Sequence, residues 1–296
     1  MQMDETDPQM PAPKPIKKVA LLADIRLLKS KQDMLAAKTN LTKALKREGI
    51  EVNSFVDVPI EDIQPAPDTG VFVVMGGDGS MIHFAGRLSQ HNIPFYGLNY
   101  GNVGFMMNNP QEGLDTHVAK LKQGAYIEYA FPLLKMLARD LNGQTHHGIG
   151  LNDIYLQRMT PQSCKVNITL GIHSLPINPL LCDGVIVSTP LGSTAYNYNV
   201  TGSMVAINAP VLTLTPVAAA RSCPLSCMML PLETRITFEI LEPEKRRVQV
   251  VSDGQNHGDV TYAEVAISDR QVKLCFDPGY AETLPMRFIA KACGTR

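Results

Sequence analysis

An apolar run, Val71 to Met75, ends without a spacer at Gly76-Gly77-Asp78-Gly79-Ser80. A strand that stops in three glycines around one acid restricts the folds open to the chain, because such a loop is of use at the carboxyl edge of a parallel sheet, where ligand loops collect. Gly76, Gly77 and Gly79 let backbone approach a ligand closely and take positive φ. Ser80 is placed to cap the next helix, whose free N–H groups attract phosphate. A carboxylate beside a phosphate cradle is otherwise repulsive, so Asp78 either holds a bridging Mg²⁺ or accepts a proton from an attacking hydroxyl. Both readings mean phosphoryl transfer; the plain alternative is a tight turn with a surface acid.

The flanking sequence supports the sheet. Lys18 to Asp24 suits a buried strand, Arg26 to Glu48 a helix that Gly49 stops, Ile50 to Phe55 a strand, Ser80 to Ser89 a helix and Ile93 to Leu98 a strand. Repeated strand–helix–strand order implies a parallel sheet covered by helices. After Gly124 the pattern changes to short runs rich in Ile, Val, Thr, Phe and Tyr, with Asn142-Gly143 as a hairpin signal. Strands are expected at 128–139, 148–158, 165–172, 184–188, 235–240, 247–252 and 262–268. The fold class is therefore an N-terminal α/β domain with a mostly parallel sheet, followed by a β-rich domain. The expected limits are a flexible tail at 1–16, the α/β domain at 17–127, the β-rich domain at 128–278, and a C-terminal segment at 279–296 that can return to the first domain.

Composition narrows the function. With 296 residues, 45% of them hydrophobic, the chain can bury a sizeable interior, which excludes wholesale disorder. Lys+Arg 27 against Asp+Glu 28 leaves a net charge of -1, so nucleic acid is not an expected partner. The least polar stretch, Met204 to Ala220, is interrupted by Asn208, Pro210 and Pro216, and no membrane span is expected. Asp4 and Glu5 stand where a secretory leader carries positive charge, so the chain reads as cytoplasmic. Cys223 and Cys227 are close together but have no nearby histidine, and the cysteines read as reduced thiols rather than a zinc site.

Several common nucleotide and hydrolase motifs are missing: there is no Gly-Lys pair for a P-loop, no GxGxxG, no GxSxG and no HExxH. Two other segments carry chemistry. Gly97 to Phe105 (GLNYGNVGF) follows its own strand, and Phe105 offers either an aromatic face to a base or nicotinamide ring or plain core packing. Cys182 to Asn199 (CDGVIVSTPLGSTAYNYN) runs from a strand into a turn crowded with hydroxyls, amides and rings, groups that suit a purine and its ribose. Asn152-Asp153 adds an amide and a carboxylate, suited to an adenine edge and a ribose diol. Arg26, just after the first strand, could reach a donor phosphate but is more simply a solvated helix start. His146-His147 reads as a solvated hairpin end.

Taken together, GGDGS, LNYGNVGF and DGVIVSTPLGSTAY in this order resemble the NAD kinase family, with echoes at Asn152-Asp153, Leu214-Thr215-Pro216 and Asp253-Gly254-Gln255. The resemblance covers roughly residues 17 to 290. It implies an enzyme that moves a phosphoryl group from ATP or polyphosphate, with Mg²⁺ or another divalent cation, to the 2'-hydroxyl of the adenosine ribose of NAD, and that assembles as a homodimer or homotetramer. Carried over by position, Asp78 is the base or hydroxyl-orienting group, Gly76, Gly77, Gly79 and Ser80 line phosphate, and Phe105 lies against the dinucleotide. Asn152 and Thr194 read adenine, Asp153 holds a ribose diol, and Ala195, Tyr196 and Asn199 shape the pocket. Asp183 and Ala218 approach the nicotinamide end. None of these side chains is assigned to metal. The chain departs from the family at Leu191, where Thr or Ser is usual, at Asn199, where Ser is usual, and at Asp153, where a longer Glu is usual. The competing readings are another GGDG kinase acting on a lipid or sugar phosphate, and a non-catalytic dinucleotide sensor.

Overall fold

The computed structural model describes residues 14–23, 32–56, 58–101, 104–220 and 225–292; Arg26, Cys223 and Cys293 lie outside them. The chain forms two compact units, one of residues 1–81, 93–129 and 273–284, the other of residues 82–92, 130–272 and 285–296.

The first unit follows the α/β reading. Strands β1 (Lys18–Ala23), β2 (Glu51–Phe55), β3 (Val71–Gly76) and β4 (Phe95–Asn99) pair in parallel in the order β4-β3-β1-β2. All six residues of β3 are buried, as expected of a central parallel strand covered on both faces. Helix α1 (Gln32–Arg47) ends as Gly49 turns at φ +77°. It packs Leu41, Ala44 and Leu45 against Val19, Leu21, Val71 and Val73, the i, i+3, i+4 spacing of one helical face.

Helix α2 (Asp78–Leu88) begins two residues earlier than the sequence suggests. The Met81 N–H donates to the Gly77 carbonyl at 3.1 Å and closes the first turn there, so Ser80 is buried inside the helix rather than standing ahead of it as a cap. Helix α3 (Leu114–Gln123) completes this layer and adds Val118 and Leu121 to the core.

The second unit is a pair of sheets. Strands β5 (Ile127–Arg139), β6 (Thr145–Gly150), β7 (Asp153–Arg158), β8 (Cys164–Leu170), β9 (His173–Ser174), β10 (Leu180–Cys182) and β11 (Gly184–Ser188) precede the short helix α4 (Tyr196–Thr201). Then come β12 (Val211–Val217), β13 (Met228–Pro231), β14 (Ile236–Ile240), β15 (Val248–Ser252), β16 (Gln255–Asp259) and the long β17 (Tyr262–Phe276), ahead of α5 (Pro278–Glu282) and α6 (Leu284–Ala292). One sheet runs β13-β12-β11-β7-β15-β16, antiparallel throughout; the other orders β10-β8-β14-β17, with β5 beside β17 and β6 beside β5. Leu156, Val185, Val187, Leu214 and Val250 from the first meet Val166, Ile168, Ile236, Phe238 and Val265 from the second in one core. Strands β8 and β14 alternate buried apolar with more exposed residues, whereas β11 is buried at every position.

The strand expected at 148–158 is two strands, because the chain turns at Leu151-Asn152. His147 is exposed and His146 half-buried beside Asp140. Among the described residues no helix is long and apolar enough to cross a membrane.

Candidate functional site

In the first unit the two glycine loops leave adjacent parallel strands, with Gly76 in register with Asn99. The Tyr100 N–H donates to the Gly76 carbonyl at 2.7 Å. A Cβ on Gly101 would lie 3.3 Å from the Gly77 Cα, and one on Gly104 would meet Asn99 Cγ at 2.3 Å. Gly101 therefore lets backbone approach the backbone of Gly77, and Gly104 makes room for the Asn99 side chain. Gly77, Gly79, Gly101 and Gly104 are not at positive φ, which corrects the expectation that the loop needs left-handed residues.

Asp78, the first residue of α2, receives N–H donors from the second loop. Its Oδ1 accepts from Met106 N at 2.8 Å and its Oδ2 from Phe105 N at 3.2 Å. These two backbone donors fix the orientation of the carboxylate. Gly79 beside it is exposed, with open space where a Cβ would stand. Phe105 is 3% exposed. Its ring is core and shows no open face; its N–H is what reaches Asp78.

In the second unit the structure joins residues far apart in sequence. Asp253 sits at φ +44° in the turn between β15 and β16. Its carboxylate accepts the N–H groups of Leu151, Asn152 and Asp153 and so shapes the turn that presents the amide and the acid. Gly192 packs on the same turn: a Cβ there would lie 2.0 Å from the Asn152 carbonyl oxygen. That carbonyl also accepts the Thr189 N–H at 2.9 Å.

The side-chain Oδ1 of Asn152 is buried with no hydrogen-bond partner among the described residues, an unmet acceptor that favours a ligand donor. Asp153 is 6% exposed. Burial, then the Asp253 charge, push its carboxyl up to about 7. Asp253 is itself raised by burial to about 6, against the opposing pull of its three backbone donors.

Most of the polar groups in the 188–199 turn hold the turn together. Ser188 bonds Thr213, Thr189 bonds the Leu151 carbonyl, Ser193 bonds the Pro190 carbonyl, and Asn197 accepts from Thr215 at 2.6 Å. Thr194 is buried with its hydroxyl 3.3 Å from the Leu191 carbonyl. This corrects the reading of the whole turn as ligand-facing. Tyr196 is half-buried, its ring edge-on to Tyr155 at 5.1 Å; burial first, then the nearby Asp153 and Asp183 charges, raise its phenol. Ala195 precedes α4 and is half-buried, Asn199 is exposed, and Leu191 is buried.

Asp183 and Ala218 are brought together: Asp183 N donates to the Val217 carbonyl at 2.8 Å, and Ala218 follows at φ +47°. Arg158 Nε meets Asp183 Oδ1 at 2.7 Å. Arg158 and Gly192 escape the sequence reading, and Asp253 enters it only as an echo. A turn-forming Asp-Gly pair is the one local signal among the three.

Among the described residues, Glu112, His117 and Asp277 form a group with metal-ligand atoms within 4.8 Å of one another. They do not suit a resident ion, because the Lys120 ammonium already bridges Glu112 at 2.7 Å and Asp277 at 2.8 Å.

The oriented carboxylate in the first unit, and the buried amide and acid in the second, are groups of the kind that a nucleotide phosphotransferase uses. The comparisons give the family. The model of the ATP-NAD kinase C-terminal domain matches residues 151–274. The NAD kinase of Hyphomonas neptunium is 34% identical over 216 residues, 72% of this chain and 82% of that protein. The NAD kinase of Rickettsia typhi is 36% identical over 232 residues, 77% and 87%. Among solved structures, yeast NADH kinase complexed with NADH aligns with a TM-score of 0.81 at 19% identity over 95% of this chain and 88% of that one. An NAD kinase from Archaeoglobus fulgidus in complex with ATP aligns at 0.72 and 21%, over 93% and 98%. The chain belongs to the NAD kinase family and is an enzyme that phosphorylates NAD to NADP.

Proposed function

We propose that the phosphoryl group goes from ATP or polyphosphate to the 2'-hydroxyl of the adenosine ribose of NAD, with Asp78 accepting or orienting the hydroxyl proton. The observation that carries this reading is the Asp78 carboxylate, oriented at the end of β3 by Phe105 N and Met106 N. Asn152 Oδ1, lacking a partner, takes an adenine N–H, and Asp153 takes the ribose diol, which rewards its ionisation. Gly77 and Gly79, the accessible glycines of the first loop, line phosphate, and Asp183 with Ala218 borders the nicotinamide end.

Phosphoryl transfer passes through a loose transition state, so catalysis comes mainly from in-line positioning and neutralisation of charge. Mg²⁺ or another divalent cation, when bound with the donor, would supply the neutralisation of phosphate charge. The NADH and ATP bound in the two solved relatives support a dinucleotide acceptor and a nucleotide donor. The same reading includes a homodimer or homotetramer, from the resemblance, together with a cytoplasmic location and domain limits at 17–127 and 128–278, from the sequence pattern.

The test incubates the protein with γ-labelled ATP, Mg²⁺ and NAD, a sugar phosphate or a diacylglycerol, and locates the label. Label on the 2'-oxygen of NAD supports the reading. Label on lipid or sugar, or NAD binding without transfer, overturns it.

A further inference from the structure

Behind the second glycine loop, in the first unit, lies a buried polar network that the reaction does not touch. Tyr96 on β4 and His117 on α3 are both 0% exposed, as is Asn108, and Asp277 is 2% exposed. The Tyr96 hydroxyl donates to Asp277 Oδ1 at 2.6 Å and lies 2.7 Å from His117 Nδ1. His117 Nδ1 is 3.1 Å from Asp277 Oδ2, and His117 Nε2 meets the Asn109 carbonyl at 2.9 Å. Since a carbonyl only accepts, Nε2 carries a proton. Asp277 N donates to Asn108 Oδ1 at 2.9 Å, while Asn108 Nδ2 donates to the carbonyls of Cys275 and Gly97. Burial opposes ionisation of Asp277, but donors from His117, Lys120 and Tyr96 outweigh it and hold the carboxyl below its usual range.

One of these bonds, from His117 Nε2, ends on the Asn109 carbonyl, and three others fix the Asn108 side chain against Asp277 N and the carbonyls of Gly97 and Cys275. Two to four residues upstream, the same segment presents Phe105 N and Met106 N to Asp78. At roughly 3.3 Å per residue the intervening chain has little slack, so the network sets where those two donors stand.

We propose that Tyr96, His117 and Asp277 are positioning residues for phosphoryl transfer: they pin Asn108 and Asn109 so that the Phe105 and Met106 amides keep the Asp78 carboxylate aimed. This rests on the role given to Asp78 above. Polar bonds buried this fully cost desolvation unless completely satisfied. An apolar core would hold β4 and α3 together equally well but would leave the loop's register free.

Tyr96→Phe keeps the ring and removes the hydroxyl that joins His117 to Asp277. The expected result is a fall in kcat of about 10- to 100-fold with the KM for NAD nearly unchanged. Amide hydrogen exchange at Phe105 and Met106 should quicken by about 10-fold while the amides of β1 and β3 keep their protection. Added to Asp78→Asn, the substitution should cost almost nothing further in kcat.

Unchanged kcat with undisturbed Phe105 and Met106 amides overturns the proposal, and so does a kcat loss accompanied by equal loosening of β1 and β3. If Tyr96→Phe fails to fold, His117→Gln serves with the same readouts. The exchange measurement needs no turnover: full activity in Asp78→Asn alone sinks the role of that acid, whereas an active-site loss in Asp78→Asn with protected amides in Tyr96→Phe sinks the network.

Discussion

The two halves of the candidate chemistry are built from different materials. Around Asp78 the first unit supplies backbone: glycines thin enough for two loops to touch, and N–H groups that hold one half-buried carboxylate. Around Asn152 and Asp153 the second unit supplies side chains: two buried carboxyls, both raised, and an amide oxygen with no partner. A site made of backbone tolerates little added volume but carries little electrostatic cost. A site made of buried acids is costly until a ligand arrives. The first arrangement suits a group that must be aimed, the second a surface that must choose its ligand.

Asp78→Asn tests the first half most severely. It keeps size and loses proton affinity, so kcat should fall by about 10²- to 10⁴-fold with NAD binding retained, as measured by steady-state kinetics and calorimetry. Near-normal kcat would remove the aimed base from the comparison.

Next in size is Gly192→Ala. The new methyl would stand 2.0 Å from the Asn152 carbonyl oxygen, and neither that backbone atom nor the turn around it can yield cheaply. Stability should drop by about 1–3 kcal/mol, read from denaturant unfolding, and the KM for NAD should rise more than kcat falls.

Asn152→Leu separates recognition from folding. It removes an orphaned acceptor worth about 1–3 kcal/mol of desolvation, so the variant should be at least as stable as the parent while its NAD affinity drops by about 10-fold or more. A loss of stability would mean that the amide serves the fold.

The same contrast explains what could be read from sequence. Gly76 to Ser80 is a local signal, because a strand, a turn and a helix start fall within one short window, and the parallel sheet followed from its neighbours. What holds Asp78 is not local: its donors lie 27 and 28 residues away and are main-chain N–H groups, which no residue type announces. Asp253 controls Asn152 and Asp153 from about 100 residues downstream, through the pairing of β15 with β7. Hydroxyls such as Ser193 and Thr189 look alike in sequence whether they face a ligand or tie a turn, and here they tie a turn. Strand β11 was legible to the residue because it is short, apolar and bounded. Strand β17 was read only to Ser268, since Asp269, Arg270 and Gln271 break the apolar alternation although they are merely an exposed stretch of one long strand.

The smallest effect separates the two buried acids from each other. Asp153 and Asp253 titrate near 7 and near 6 in the folded chain against an ordinary 3.8. The folded state therefore holds protons that the unfolded chain has released, and the pair's contribution is complete below about pH 4 and lost as pH rises through 7. Asp153→Asn removes one charge and its repulsion. Its Tm should pull ahead of the parent's between pH 5 and 8, reaching on the order of 5 °C at pH 8. Asp253→Asn relieves the same repulsion but replaces the carboxylate that accepts three N–H groups with a single amide oxygen. It should therefore lower Tm across the range and raise the KM for NAD by loosening the 151–153 turn. Opposite signs for two formally identical substitutions would assign the ligand-facing cost to Asp153 and the scaffold to Asp253. Matching signs would show that the two carboxyls act as one unit, and the distinction between a carboxylate held by backbone and one facing a ligand would then run inside the second unit as well as between the two.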